Sequence, residues 1–179
     1  MIYFVRHGEC VANKNGCFAG ITDSPLTEAG KTQATQVGRE LLSRGIRPHR
    51  IVSSSLPRAQ QTALIIAGQL GYDADAIFTD TRFNEYDFGD LNGKPKEGVD
   101  SKHFMSTPKR EDTNLFYERL REAWNEYCAL EGDTLIVSHS FVRLGLECAL
   151  GGEDMTHFHD KASHTDSHQH IATYDPRPI

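Results

Sequence analysis

The sequence predicts an α/β protein, a three-layer α/β/α sandwich around a mixed, mainly parallel sheet. Three observations predict it. Short apolar strands alternate with capped helices, which implies right-handed crossovers between strands covered on both faces. The hydroxyl, Pro and Gly residues that start and stop helices stand at the edges of these stretches. Several residues able to do chemistry fall just past strand ends, where open α/β sheets hold their ligands.

Ile2–Val5 reads as a short buried strand, followed by a Gly- and Asn-rich loop from Gly8 to Pro25. Thr27 can cap a helix that runs to about Ser43 and stops before Gly45. Ile51–Ser53 is a second strand. Pro57 suits the first turn of the next helix, which ends near Gly71. Ile77–Thr79 is a short third strand. Residues 87–111 are polar and rich in Gly, Lys and Pro, so they read as a loop. Asp112 or Thr113 can cap a helix to about Leu130, with Leu115, Leu120, Ala123, Trp124 and Tyr127 as a partial apolar stripe. Thr134–Ser138 is the clearest strand. A helix from about Phe141 to Leu150 ends at Gly151 and Gly152, and His170–Tyr174 is the last strand.

A chain of 179 residues can bury one full core. Neither a repeat nor a linker divides it, so residues 1–179 read as one domain. The net charge of −6 argues against nucleic acid as a partner and requires a local positive pocket for any anionic substrate. No apolar run approaches the ~20 residues of a membrane span. The first strand is too short for a secretory signal, so a cytoplasmic protein is expected. Cys10, Cys17, Cys128 and Cys148 have neither CxxC nor zinc spacing and read as reduced, mostly buried thiols.

Arg6-His7-Gly8-Glu9 directly follows the first strand. An imidazole can be a covalent nucleophile when one ring nitrogen is held and the other is unprotonated. An adjacent guanidinium can grip phosphate oxygens, and Gly8 lets backbone approach an anion. On its own, however, such a pair is also an ordinary surface Arg-His at a strand end.

From His7, six residues lead to Asn13 and seven more to Gly20. Together with Ile51-Val52-Ser53-Ser54-Ser55-Leu56-Pro57-Arg58, the stretch Phe83-Asn84-Glu85 before Gly89, and Leu135-Ile136-Val137-Ser138-His139-Ser140, this pattern resembles the histidine phosphatase superfamily. The resemblance extends over most of the chain. It implies a phosphoglycerate mutase-like fold and a phosphohistidine on His7. It also implies phosphate binding by Arg6, Asn13, Gly20, Arg58, His139 and Ser140, with Glu85 as general acid and then base. His7, Glu85, His139, Arg6 and Arg58 form the implied catalytic set, and the loop 90–111 would lie over the active site.

Each assignment is chemically reasonable. Arg58 in a first helical turn adds its charge to the positive helix end. A carboxylate facing a phosphate dianion should have a raised pKa, which suits an acid; Asp87, Glu97 and Glu111 are nearby competitors. His139, if protonated, would donate to a phosphoryl oxygen. With side chains as the cations, neither a metal nor a cofactor is expected.

The chain departs from the family pattern in places. Ser140 stands where glycine is common and Phe141 where mutases have asparagine; the mutases' paired arginines are missing. Lys94, Lys96, Lys102, Lys109 and Arg110 read as solvated loop charges at least as well as substrate ligands. These differences favour hydrolysis of a small phosphorylated metabolite over mutase chemistry. A phosphoglycerate mutase, or an inactive member that binds phosphorylated ligands, is the alternative. His157, His159, His164, His168 and His170 make a histidine-rich stretch with no metal-binding helix motif; one or two of them, His164 first, could border the site. The oligomeric state is not legible in the sequence.

Overall fold

The computed structural model describes residues 1–152 and 171–179. The strands are β1 (Ile2–Arg6), β2 (Arg50–Ser53), β3 (Ile77–Thr79), β4 (Thr134–Ser138) and β5 (Ala172–Tyr174). They form one sheet in the order β3-β2-β4-β1-β5. The β1–β4, β4–β2 and β2–β3 pairs are parallel, and only the edge strand β5 runs antiparallel, against β1. The expected mixed, mainly parallel sheet is therefore observed.

Strand periodicity explains the layers, because successive side chains point to opposite faces. Ile2 and Phe4 of β1, with Val52 and Ile136, face one core. There they meet Phe116, Leu120, Ala123 and Trp124 of helix α5 (Thr113–Ala129) and Val142 and Leu146 of α6 (Ser140–Gly151). Tyr3 and Val5, with Ile51, Leu135 and Val137, face the other. That core is closed by Val37 and Leu41 of α2 (Glu28–Ser43) and Ala63, Ile66, Ala67 and Leu70 of α3 (Pro57–Leu70).

Local signals set the helix ends. The Thr27 hydroxyl accepts from the amide of Gly30, Pro57 occupies the first turn of α3, and the Asp112 carboxylate accepts from the amides of Asn114 and Leu115. Each of the two side-chain caps contributes about 1 kcal/mol.

Some expectations need correction. The loop from Gly8 to Pro25 contains a helical turn, α1 (Val11–Lys14). The segment 87–111 is not merely a polar loop: it carries α4 (Ser101–Ser106), and Leu91 and Phe104 are buried in the core. Phe104 packs against Tyr86, Phe88 and Phe141. A single aromatic in a polar stretch has no periodicity, so sequence pattern misses it. Along α5 the buried face begins at Phe116, whereas Leu115 is 61% exposed. The last strand begins at Ala172, two residues after His170. His170 and the other histidines of that stretch, His157, His159, His164 and His168, lie outside the described residues. The four cysteines are free, with Cys10 and Cys148 buried. No described helix is long and apolar enough to cross a membrane.

Candidate active site

Parallel pairing of β1 with β4 sets Arg6 opposite Ser138, and the His7 amide continues the ladder to the Ser138 carbonyl at 2.8 Å. His7 and His139, each one residue past its strand, therefore stand side by side with ring centroids 5.1 Å apart. Both are buried.

The hydrogen bonds fix the tautomer of His7. The Arg58 Nε–H donates to His7 Nε2 at 3.2 Å, so Nε2 carries a lone pair. The ring proton then sits on Nδ1, which donates to the Gly8 carbonyl at 2.7 Å. Burial, and then the charges of Arg58 and Arg6, hold the His7 pKa well below the ordinary imidazole value. The result is a neutral imidazole with its lone pair at Nε2.

Arg58 is completely buried on the first turn of α3. Its other nitrogens donate to the carbonyls of Thr22 at 3.0 Å and Gly20 at 2.5 Å. Gly20 thus reaches the site through its carbonyl. Its φ of 48° is left-handed, and a Cβ there would lie 1.8 Å from Asn92 Oδ1, so only glycine fits. Asn13 accepts at Oδ1 from the amide and thiol of Cys10, at 3.3 and 3.1 Å, which leaves Nδ2 as the donor it can offer. Thr62 ties α3 to this loop by accepting from the Gly8 amide and donating to the Arg58 carbonyl.

His139 has the opposite tautomer. Ser54 Oγ has one hydrogen, which goes to Asn84 Oδ1 at 2.9 Å, because a carboxamide oxygen only accepts. Toward His139 Nε2, at 2.7 Å, Ser54 therefore accepts, and Nε2 holds the proton. His139 Nδ1 is buried and, among the described residues, has no hydrogen-bond partner. To donate from Nδ1, His139 must become a cation. Burial first, then Arg58 and the neighbouring His7 and Arg6, push its pKa well down, which favours the neutral ring.

Glu85 is buried, and burial raises its pKa while Arg58 pulls it down. Ser140 Oγ donates to Glu85 Oε2 at 3.3 Å. Two of the competing carboxylates are otherwise engaged, and Glu97 is exposed: Asp87 accepts from the Gly89 amide and Asn92 Nδ2, and Glu111 pairs with Arg119 at 2.7 Å. A cleft of about 340 Å³ opens beside Glu85, walled in part by Ile21, Asp87, Lys109 and Glu111.

Of the loop cations, Lys109 pairs with Asp90 and Arg110 donates to Tyr86 Oη at 2.6 Å. Lys96 is an exposed residue whose ammonium lies 5.8 Å from the Phe18 ring centroid, with a pKa lowered by desolvation first and by Arg6 next. Sequence reasoning missed Ser54, Thr62, Asn84 and Arg119. Ser54 and Thr62 flank Arg58 in sequence; Arg119 carries no local signal beyond its place one turn after Phe116. Among the described residues no cluster of His, Cys, Asp or Glu could hold a metal ion.

The site is thus a neutral imidazole whose Nε2 lone pair meets Arg58, with a buried guanidinium and a buried carboxyl group beside it at parallel strand ends. The model of the histidine phosphatase superfamily (branch 1) matches residues 2–178, and the chain belongs to that family. The Yersinia pestis (strain Pestoides F) probable phosphoglycerate mutase GpmB is 33% identical over 163 residues, covering 83% of this chain and 72% of that protein. The 2,3-bisphosphoglycerate-dependent phosphoglycerate mutase of Methylobacterium sp. (strain 4-46) is 38% identical over 97 residues, 54% of this chain. The match covers 47% of that mutase, so this chain spans about half the length of such relatives.

Among solved structures, Bacillus stearothermophilus YhfR aligns with a TM-score of 0.76 at 29% identity, covering 88% of this chain and 82% of that one. The mycobacterial glucosyl-3-phosphoglycerate phosphatase in complex with VO3 aligns with a TM-score of 0.76 at 25% identity, covering 89% and 85%.

Proposed function

We propose that this chain is a phosphatase that hydrolyses small phosphomonoesters through a phosphohistidine on His7. The observation that carries the reading is the tautomer of His7, with Nε2 unprotonated and aimed where Arg58 meets it. Nε2 attacks phosphorus in line and the P–O ester bond breaks. Glu85 gives its proton to the leaving alkoxide. Water then attacks the phosphoryl group, Glu85 takes the water's proton, and the P–N bond breaks to release inorganic phosphate. Dividing one displacement into two lowers each barrier. Arg6, Asn13, Arg58, His139 and Ser140 bind the phosphoryl oxygens, and Gly20 serves by holding Arg58. The chemistry needs no metal or cofactor, because these side chains supply the positive charge.

The mutase relatives favour a second reading, in which the phosphohistidine returns its group to another hydroxyl of a phosphoglycerate. Product analysis separates the two, since only hydrolysis yields inorganic phosphate.

The test is a phosphate-release screen over phosphorylated metabolites, with brief acid-quenched labelling. An acid-labile, base-stable phosphoryl group is expected on His7, and His7→Ala should reduce turnover to background. Near wild-type turnover in His7→Ala rules out the mechanism. No turnover in the wild type, with retained binding of phosphorylated ligands, points instead to an inactive member.

A further inference from the structure

We propose that Arg119 is a positioning residue that holds the segment 82–85, and through it both Glu85 and His139. The inference rests on the phosphatase reading above. Residues 82–85 leave the sheet side of the molecule with four successive carbonyls, and a side chain takes every one of them. Arg119 Nη1 donates to the carbonyls of Arg82 at 2.5 Å and Asn84 at 2.8 Å, and Nη2 donates to that of Glu85 at 3.2 Å. Ser138 Oγ donates to the carbonyl of Phe83 at 2.6 Å.

The guanidinium is itself fixed. Its Nε and Nη2 donate to the two oxygens of Glu111 at 2.7 and 3.0 Å, and it lies 4.6 Å from the centroid of Phe116. Arginine's planar fork presents donors in two directions at once, which a lysine ammonium on a flexible stem cannot do.

Both ends of the site depend on this segment. Glu85 is its last residue. The Asn84 side chain accepts from Ser54, and Ser54 accepts from His139. A shift of the segment therefore moves the acid and loosens the histidine together, while leaving His7 and Arg58 on their own strand and helix.

The experiment compares full-length Arg119→Lys, Arg119→Ala and Glu111→Gln with wild type. Thermal unfolding gives the folded fraction, and kcat and KM are measured on one alkyl and one aryl phosphate. Amide hydrogen exchange is followed at residues 83–86. An ångström of misplacement can cost about 10²-fold in rate. In folded Arg119→Lys, kcat on the alkyl ester should fall by about that factor, with a much smaller loss on the aryl ester, whose leaving group needs little protonation. KM should change little, and exchange at 83–86 should rise.

Equal losses on both esters, in step with the folded fraction and with unchanged exchange, overturn the proposal. If Arg119→Ala does not fold, Arg119→Lys and Glu111→Gln decide by the same readouts. If the wild type hydrolyses nothing, the phosphatase reading fails on its own, and unchanged exchange at 83–86 in Arg119→Lys still refutes the positioning role.

Discussion

The two histidines carry opposite tautomers, and this has consequences that titration can reach. Each is held below the ordinary imidazole pKa of about 6.5, by burial first and then by neighbouring charge. Between the depressed folded value and the ordinary unfolded one, the unfolded chain binds more protons. Stability therefore rises with pH across that window, is complete above the unfolded value, and is lost as pH falls toward the folded one. In phosphate-free buffer the melting temperature should drop between pH 7 and pH 5, and drop less in His139→Gln. Equal slopes would mean that His139 is not buried as a neutral ring. Glu85 makes a separate prediction, because its buried carboxyl has a raised pKa and suits donation to a poor leaving group. Glu85→Gln should reduce turnover of alkyl phosphates far more than of aryl phosphates, with some loss remaining for both because water also needs a base. Small and equal losses would move the acid to another residue.

At the scale of elements, the site depends on how closely the loop after β1 crosses the start of α2. A Cβ on Gly30 would lie 2.1 Å from the Glu9 carbonyl oxygen, and one on Gly8 would lie 2.3 Å from that of Gly30. Backbone touches backbone there, and Thr27 secures the crossing by donating to Glu9 Oε1 at 2.6 Å. Gly30→Ala must push the loop that carries His7 and Asn13 away from the helix. Overpacking of this kind costs about 1–3 kcal/mol. Denaturant titration should show that loss, and the remaining folded protein should turn over more slowly than wild type. Unchanged kcat per folded molecule would show that the loop tolerates the displacement. The segment 93–96 also meets this loop: the amides of Phe18 and Lys96 donate to the carbonyls of Lys94 and Gly16. Phe104 anchors the far end of the same excursion in the core.

For the molecule as a whole, the net charge is −6, yet the charges that act on the buried His7 are the cations Arg58 and Arg6. An anion that binds only the folded state must stabilise it, by about 2.7 kcal/mol at a hundred times its dissociation constant. For a chain of this size that corresponds to a rise in melting temperature of about 5–10 °C. Inorganic phosphate at saturating concentration, measured with and without EDTA, should produce such a shift in wild type and little or none in Arg58→Met. A shift that disappears on chelation would show that a metal ion takes part in binding.

The layered architecture and most of the element ends were legible from local pattern along the chain. Central parallel strands are buried on both faces, so Tyr3, Phe4 and Val5, or Leu135, Ile136 and Val137, read as unbroken apolar runs. Helix caps are local, so Thr27, Pro57 and Asp112 mark their helices without reference to anything distant. Arg6, His7, Arg58, His139 and Ser140 stand at a strand end or the start of a helix, where local pattern marks them, whereas Asn13, Gly20 and Glu85 were singled out by the resemblance alone. What those residues are chemically was not legible. The lone pair on His7 depends on Arg58, 51 residues away, and the proton on His139 depends on Ser54, 85 residues away. Arg119 acquires its place only by reaching carbonyls 34 to 37 residues distant, and Phe104 only by meeting Phe141. A tautomer or a clamp is a property of atoms brought within hydrogen-bond range by the fold, and no window along the chain contains both partners.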